Sequence, residues 1–381
     1  MHRLPLSLIL MKPCLQMVVG PPPGMLACAW LGANVLLSAL PVCGQDFMVG
    51  LSQERQESSD IRLIDSELDL RWRTTKREIT VMAAVADLDV NYAPNPLDFL
   101  GVSRKLDETR TSEQITWREG LDQRWRWNFS AGGSDGFTDY RSLWLDEYYR
   151  QIFSTVRGYV PAKPDGKNVS IGGTYEYLPQ SGMINWSLGY QVDGISPSYD
   201  KIIMGPLVRG RSRYQTWRLG LGSEHVLSPR LRFKEDFTAL QTTARAWRYA
   251  YKAEALWAIT DAWATHLDLE ASREAEFHSV AASLALERDW SAKWFAGVQV
   301  RAYRDNGQVI DPSLISGAAP PIDSLQAQLT LRYSGSNVTW RVGIGPYLTR
   351  YAALTPGTIW FSSLYRDRNW CSVQAAWTLR I

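Results

Sequence analysis

The sequence predicts an all-β protein, a transmembrane antiparallel up-and-down β-barrel of about 16 strands, with roughly 14 to 18 compatible with the pattern. Three observations carry this prediction. Apolar and polar residues alternate with a period of two through most of the chain after residue 45. Short turns alternate with long polar loops, and the chain contains 17 Trp and 17 Tyr. A strand sorts such an alternation onto two faces, whereas a helix would scatter it around its circumference.

Residues 1–44 are predicted to be a secretory signal peptide. They contain no acidic residue, and residues 25–40 form an apolar run of 16 residues that ends in a small-residue segment before Gln45. This pattern places cleavage after Gly44. A transmembrane anchor is the first alternative, although the run is shorter than the ~20 residues that a helical span needs. Lipid attachment at Cys43 is the second.

The remaining chain, residues 45–381, is predicted to be one barrel domain, because no linker or shift in composition divides it. Its 39 basic and 39 acidic residues balance, which disfavours nucleic acid as a partner. Cys371 is its only cysteine, so no disulfide bond is expected.

The clearest alternation runs through residues 115–129, where Trp117, Trp125 and Trp127 share one face and Arg118 and Arg126 lie on the other. We therefore predict one strand over residues 113–131. The complete set of predicted strands is 46–55, 58–74, 77–92, 113–131, 137–153, 168–178, 183–193, 212–226, 231–242, 246–259, 263–273, 277–288, 293–304, 323–333, 338–350 and 370–381.

The apolar faces are predicted to contact lipid. The strands are long enough for the ~9–11 residues of a tilted bilayer crossing, and the opposite faces carry enough charge to suit a wet lumen. Trp and Tyr also fall near strand ends, as in the aromatic girdles of membrane barrels. These residues are Trp72, Trp127, Tyr177, Trp247, Trp257, Trp263, Trp294, Tyr333, Trp340 and Tyr351.

With an export signal, alternating strands, unequal loops and a last strand that ends in a hydrophobic residue, the chain resembles porin-like bacterial outer-membrane β-barrel proteins. The resemblance implies the outer membrane of a Gram-negative cell envelope, contact with membrane lipid and lipopolysaccharide, and insertion by the barrel assembly machinery. Ile381 departs from the Phe that usually ends such chains. No short motif selects a specific family, and the sequence indicates no oligomeric state.

The sequence offers little catalytic chemistry, and no enzyme activity is predicted. It contains no P-loop, dinucleotide-binding, metalloprotease or calcium-loop motif. His225, His266 and His278 have no metal-ligand spacing, so no metal or cofactor is expected. His266, with Asp268 and Ser272 nearby, is the best Ser–His candidate for a lipid hydrolase. Its face is predicted to point into the lumen, whereas lipid would approach from outside.

The charged faces predict a pore lining whose opposed charges select polar solutes. The first predicted function is a passive channel for small hydrophilic solutes, narrowed by an inward-folded loop from residues 155–167 or 305–322. The first alternative is an accessory or structural barrel for polysaccharide or protein export that has no open pore, and the second is a lipid-modifying enzyme. The candidate pore-lining residues are Arg118, Asp122, Arg124, Arg126, Arg218, Arg232, Lys234, Asp236, His266, Asp268, Glu270 and Arg301.

Overall fold

The computed structural model describes residues 46–91, 105–137, 163–202, 207–243, 245–307, 320–352 and 365–381. The predicted signal peptide lies outside these residues. No helix among them is long and apolar enough to cross a membrane. They form sixteen β-strands: β1 Asp46–Glu57, β2 Ile61–Arg73, β3 Arg77–Asn91, β4 Lys105–Glu119, β5 Trp125–Asp135, β6 Lys163–Leu178, β7 Gly182–Ile202, β8 Leu207–Ser228, β9 Leu231–Thr242, β10 Trp247–Ala258, β11 Trp263–Glu274, β12 Phe277–Asp289, β13 Trp294–Asp305, β14 Ile322–Ser334, β15 Val338–Tyr351 and β16 Arg368–Arg380.

The strands form one closed barrel in which each strand pairs with its neighbours in the chain. All pairs are antiparallel, and β1 closes the barrel against β16 with Leu51 opposite Trp377. Closure leaves no sheet edge with unpaired backbone groups, which is the condition for a sheet to cross a membrane. The prediction of an all-β, up-and-down, sixteen-strand barrel is confirmed.

The two ends of the barrel differ in the length of their connections. The end that carries Asp46 and Ile381 has only short turns, such as 179–181 and 229–230. At the opposite end the connections include 92–104 and 306–321. We call these the short-turn end and the long-loop end. The predicted loop asymmetry is therefore present, although the long-loop end also has short connections, for example between β11 and β12.

The predicted strand 113–131 is wrong, because the chain reverses at residues 120–124. Gly120 adopts a φ of 76°, and the N–H of Gln123 donates to its carbonyl oxygen at 2.9 Å. A Cβ at Gly120 would lie 2.7 Å from the carbonyl oxygen of Trp125, so glycine suits this turn sterically. Trp117 pairs with Phe129, which leaves odd-numbered residues outside on both strands. The alternation keeps its phase across the turn and therefore hides it.

The strand count agrees with the prediction because two differences offset each other. One predicted strand is in fact β4 and β5. Of the predicted strand 137–153, Phe137 lies outside any strand and residues 138–153 lie outside the described residues. The connection at residues 132–136, which the predicted strands 113–131 and 137–153 imply, is also wrong, since β5 continues through Gly132 and Gly133 to Asp135.

The outer face is apolar and carries aromatic residues towards both ends. Leu221, in β8, is 61% exposed on this face. Trp294, Tyr333 and Trp340 cluster near the short-turn end, with the Trp294 and Trp340 ring centroids 5.1 Å apart. Nearer the long-loop end, Tyr190 and Trp217 are 4.7 Å apart and Trp247 stacks with Tyr249. Such bands are typical of membrane barrels.

Inside the barrel, the long-loop end is packed along β1–β4 and β16. Strand pairing places Ile61, Leu88, Val90, Leu106 and Trp370 on the inner face, and all five are buried. We call these five residues the packed inner cluster.

A buried ion pair adjoins the packed inner cluster. Asp60, in the turn before β2, accepts hydrogen bonds from the Arg368 guanidinium at 3.0–3.2 Å. Arg366 approaches the same carboxylate at 2.7 Å. The opposite charges of the pair compensate each other in a region that is buried from water.

Cys371 is disulfide-bonded, which corrects the expectation of a chain without disulfides. That expectation treated all other cysteines as part of a removed leader. The partner sulfur lies outside the described residues.

Candidate functional site in the barrel interior

The barrel encloses a cavity of about 1080 Å³ bounded mainly by inner-face residues of β2 to β11, although Leu221, Phe237 and Tyr251 of the outer face also border it. Basic side chains outnumber acidic ones around it by eight to four. The basic residues are Arg71, Arg73, Arg118, Arg126, Arg218, Arg245, Arg248 and Lys252; the acidic residues are Glu78, Asp236, Glu270 and Glu274. The cavity is therefore wet, polar and biased towards positive charge. We call it the central cavity.

Strand alternation positions these side chains. In β8, Arg218 lines the central cavity, while its neighbours Trp217 and Leu219 are exposed on the outer face. Gly220 and Gly222 follow on the same inner face as Arg218. A Cβ at Gly220 would collide with the Ser187 hydroxyl, and one at Gly222 with the Asp236 carboxylate. The two glycines thus leave room for polar side chains of the adjacent strands.

Several charges on the wall are paired across strands. Glu78 of β3 bridges Arg118 of β4 and Arg73 of β2, the latter at 4.0 Å. Arg126 contacts Glu176 at 2.6 Å. Each of these pairs joins neighbouring strands on the inner face, so the pairs fix arginine heads beside the cavity.

Three lining arginines, Arg218, Arg248 and Arg301, have no ion-pair partner in the described part of the chain. Arg218 faces the central cavity, and Arg301 faces a smaller cavity of about 220 Å³ shared with Asp268 and Glu270. Arg248 instead lies over the Phe277 ring, 4.9 Å from its centroid. Positive charge without a protein counter-ion is the feature that an anionic solute would meet.

The wall formed by β9, β10 and β11 carries a ladder of opposite charges. Lys234 contacts Asp236 at 2.8 Å, Lys252 pairs with Glu254, and His266 Nε2 lies 3.1 Å from Asp268. Potential ligand atoms of Glu254, His266 and Asp268 lie within 4.8 Å of one another, so these three residues have the geometry to hold a metal ion. Lys252 and Lys234 already approach Glu254, and their charge opposes a divalent cation there.

The structure places ten of the twelve candidate pore-lining residues on the inner face. Arg118, Arg126, Arg218, Asp236 and Glu270 border the central cavity. Asp268, Glu270 and Arg301 border the smaller one. Arg232, Lys234 and His266 share the inner face of their strands with these residues and pair with Glu224, Asp236 and Asp268, respectively. Whether any of them lines a conducting pore stays a prediction.

The placements of Asp122 and Arg124 on a pore wall are wrong. Both residues lie exposed in the turn between β4 and β5 at the short-turn end. Arg118 and Arg126 consequently belong to two paired strands, β4 and β5, and not to one. The prediction failed because it read through a turn that conserves the phase of the alternation.

Several cavity residues were missed among the candidates, namely Arg71, Arg73, Glu78, Arg245, Lys252 and Glu274. Their signal was the same alternation that located Arg118 and Arg218. The alternation does not show which inner faces lie around the same part of the barrel interior. That arrangement decides which charged residues border one cavity.

No family model matches the sequence, and no curated protein matches it. Among solved structures, the chain is similar to CdiB from Acinetobacter baumannii, with a TM-score of 0.53 and 9% identity over 88% of this chain and 60% of that one. It is also similar to CdiB from Escherichia coli, with a TM-score of 0.51 and 10% identity over 90% of this chain and 64% of that one. The chain spans less than two thirds of either structure. At these identities the likeness concerns the barrel fold.

Proposed function

We propose that this protein is an outer-membrane channel through which small hydrophilic solutes diffuse passively. The observation that carries the proposal is the polar central cavity of about 1080 Å³ inside a closed barrel with an apolar outer face. Apolar side chains outside and charged side chains inside reverse the usual order of a water-soluble protein. A bilayer around the barrel and water within it satisfy both faces.

The same reasoning supports placement in the outer membrane of a Gram-negative cell envelope. Barrels with an apolar belt and aromatic bands are typical of that membrane. Membrane lipid and lipopolysaccharide are then the partners of the outer face, and the barrel assembly machinery is the partner for insertion. Cleavage of a signal peptide near Gly44 belongs to the same proposal, and it requires that the disulfide bond of Cys371 not persist in the mature chain, because Cys14, Cys28 and Cys43 all precede Gly44.

The preferred solutes are small anions. Lining arginines and Lys252 outnumber lining acids, and Arg218 has no ion-pair partner among the described residues. Fixed charge on a channel wall raises the local concentration of counter-ions and favours their passage.

Planar-bilayer recording tests the channel. Purified protein should give stable conductance steps in KCl. Under a KCl gradient, the sign of the reversal potential should show that chloride is more permeant than potassium. Strand-dominated circular dichroism and heat-modifiable migration on gels show whether the protein is folded as a barrel. An absence of conductance from folded protein would overturn the proposal.

A matched pair of variants tests the solute preference. Arg218→Gln removes an unpaired charge from the central cavity and should move the reversal potential towards cations. Arg273→Gln removes the same charge from β11, where strand pairing with Tyr249 places it on the outer face. This control should leave selectivity unchanged. Equal shifts from the two variants would contradict a selectivity set at the cavity wall.

A barrel that serves export without an open pore is the second candidate. What favours it is the packed inner cluster with the Asp60–Arg368 pair, which fills part of the interior at the long-loop end. In that case folded protein stays silent in bilayers, and the variant Arg218→Gln has no electrical phenotype. Loss of polysaccharide or protein at the cell surface in a deletion strain would support this candidate.

A further inference from the structure

Five polar side chains form a hydrogen-bonded cluster on the outer face of the barrel. They are Tyr177 of β6, Ser223 and His225 of β8, Glu235 of β9 and Tyr251 of β10, and we call them the outer polar cluster. In β8, Ser223 and His225 continue the row of Leu219 and Leu221, both exposed on the outer face, whereas Arg218, Gly220 and Gly222 line the central cavity. The cluster therefore faces the surrounding lipid and not the lumen.

The bonds of the cluster run through Ser223. Its hydroxyl donates to Glu235 Oε1 at 3.0 Å, and its Oγ also lies 3.0 Å from His225 Nε2. The other imidazole nitrogen, His225 Nδ1, lies 2.7 Å from the Tyr177 hydroxyl. The Tyr251 hydroxyl donates to Glu235 Oε2 at 3.1 Å. A serine hydroxyl is thus in hydrogen-bond contact with an imidazole whose far side is held by a third group.

The contact between Tyr177 and His225 requires a glycine. Gly182 of β7 pairs with His225 and stands between β6 and β8. A Cβ on Gly182 would lie 2.6 Å from the Tyr177 ring, so the ring crosses β7 over this residue. Its ring centroid lies 6.0 Å from that of His225. Any larger residue at position 182 would displace the Tyr177 hydroxyl from Nδ1.

The position of the cluster fits the ester region of a bilayer. Ser223 and His225 are within five residues of Ser228, where β8 ends at the short-turn end. Lipid esters lie at the border between hydrocarbon and headgroups, where polar side chains are less costly than at the midplane. Exposed Leu221 and Phe237 adjoin the cluster on the side of the midplane and offer a surface for acyl chains.

We propose that the outer polar cluster is an acyl-hydrolase site for glycerophospholipids, with Ser223 as nucleophile, His225 as general base and Tyr177 as a positioning residue. A nucleophile within hydrogen-bond reach of a base that is oriented by a third group is the arrangement that activates serine. Its exposure on the lipid-facing side matches a substrate that approaches within the membrane. This activity is independent of the proposed channel.

In the first step, the Ser223 O–H turns from Glu235 towards His225 Nε2, Oγ attacks the ester carbonyl carbon and the hydroxyl proton passes to Nε2, while Nδ1–H donates to the Tyr177 oxygen. The bond from the carbonyl carbon to the glycerol oxygen then breaks, and that oxygen takes the proton from Nε2. Water next attacks the acyl-serine with His225 again as base. A fatty acid and a lysophospholipid leave, and Ser223 regains its proton.

We expect slow turnover. Ser223 is paired on both sides within the sheet, opposite Ile184 and Glu235, so its own backbone N–H is held in the strand ladder. Loss of one donor to the developing oxyanion lowers turnover by about 10²–10³-fold in serine hydrolases. Covalent capture of the nucleophile is therefore a better readout than turnover alone.

The experiment uses the full chain in vesicles of phosphatidylethanolamine and phosphatidylglycerol with a fluorophosphonate probe. Mass spectrometry should place the probe on Ser223, and fatty acid and lysophospholipid should accumulate. Ser223→Ala should abolish both signals and His225→Ala should reduce labelling at least tenfold. Ser272→Ala, which changes an inner-face serine bonded to Ser279 at 2.7 Å, is the matched control and should change neither.

Tyr177→Phe tests positioning. Removing the hydroxyl should shift the pH midpoint of labelling, because that hydroxyl contacts Nδ1 of the base, and Gly182→Ala should produce the same shift. Heat-modifiable migration on gels reports whether each variant is folded. The proposal is overturned if folded wild-type protein leaves Ser223 unlabelled, or if Ser223→Ala releases fatty acid as fast as the wild type.

Discussion

The inner face of this barrel differs between the packed inner cluster and the central cavity. Around the cluster, side chains at inward positions of β2, β3 and β4 are branched and apolar, and Leu88 is only 1% exposed. In β8, the inward position of Arg218 is followed by two inward glycines, Gly220 and Gly222. The backbone geometry is the same in both regions. Side-chain size and charge alone decide which region is dry and which is wet.

The comparison also explains where ion pairs matter. Asp60 and Arg368 meet beside the packed inner cluster, where both are almost fully buried and water is excluded. Charges around the central cavity face water, which screens them. Pairs of similar geometry should therefore contribute very differently to stability, and this difference is measurable.

The largest effect is expected for Asp60→Asn. The substitution removes the carboxylate that the Arg368 guanidinium, 4% exposed, contacts at 3.0 Å, and breaking a buried ion pair costs about 3–5 kcal/mol. Urea unfolding in lipid vesicles measures the loss. Asp261→Asn is the matched control, because Asp261 pairs with Arg230 at 3.1 Å in a turn where its side chain is 97% exposed. The control should cost less than about 1 kcal/mol.

Next in size is Leu267→Arg, which places a charge on the lipid-facing side of β11. Charges at the bilayer midplane destabilise membrane barrels by about 2–4 kcal/mol. His266→Arg, one residue earlier and facing the lumen, should be tolerated. Both variants are compared by the same unfolding assay. Equal losses would show that the assignment of inner and outer faces is wrong in this strand.

Acid should remove the stabilisation that Asp60 gives to the packed region. Burial alone would raise the pKa of Asp60, but hydrogen bonds from Arg368 and Arg366 outweigh it and hold the pKa below the ordinary value of 3.8. A lowered pKa in the folded state contributes stability above pH 3.8, and that contribution disappears as the pH falls through the folded pKa. Thermal melts from pH 6 to pH 2 should show a decline in the wild type that is smaller in Asp60→Asn.

The smallest effect is expected for Arg218→Gln, whose unfolding free energy should stay within about 0.5 kcal/mol of the wild type. Arg218 faces the central cavity without an ion pair in the described part of the chain, so no buried partner loses its charge. A loss as large as that of Asp60→Asn would mean that this wall is dry, and the contrast between the two regions would disappear.

The alternation allowed much of this barrel to be predicted from local sequence. It assigned Arg118, Arg218 and Asp236 to the inner face and Leu267 to the outer face. It failed at residues 120–124, where a turn preserves the phase of the alternation. Asp122 and Arg124 were misplaced for that reason. Facing is a property of neighbouring residues, whereas a reversal that conserves facing is invisible in the alternation, and at this turn Gly120 is the local sign of it.

The sequence by itself determined the fold class and the two chemical faces, because a period of two is built into each strand. Only the tertiary structure decided which rows of side chains meet. The two sites that the structure adds, the central cavity and the outer polar cluster, each combine residues of several strands. In the outer cluster, Ser223 and His225 are two residues apart, but Glu235 and Tyr177 reach them through the register of β6 to β9. The alternation fixes facing, but register also depends on turn geometry and on which segments pair, so the alternation alone does not specify it.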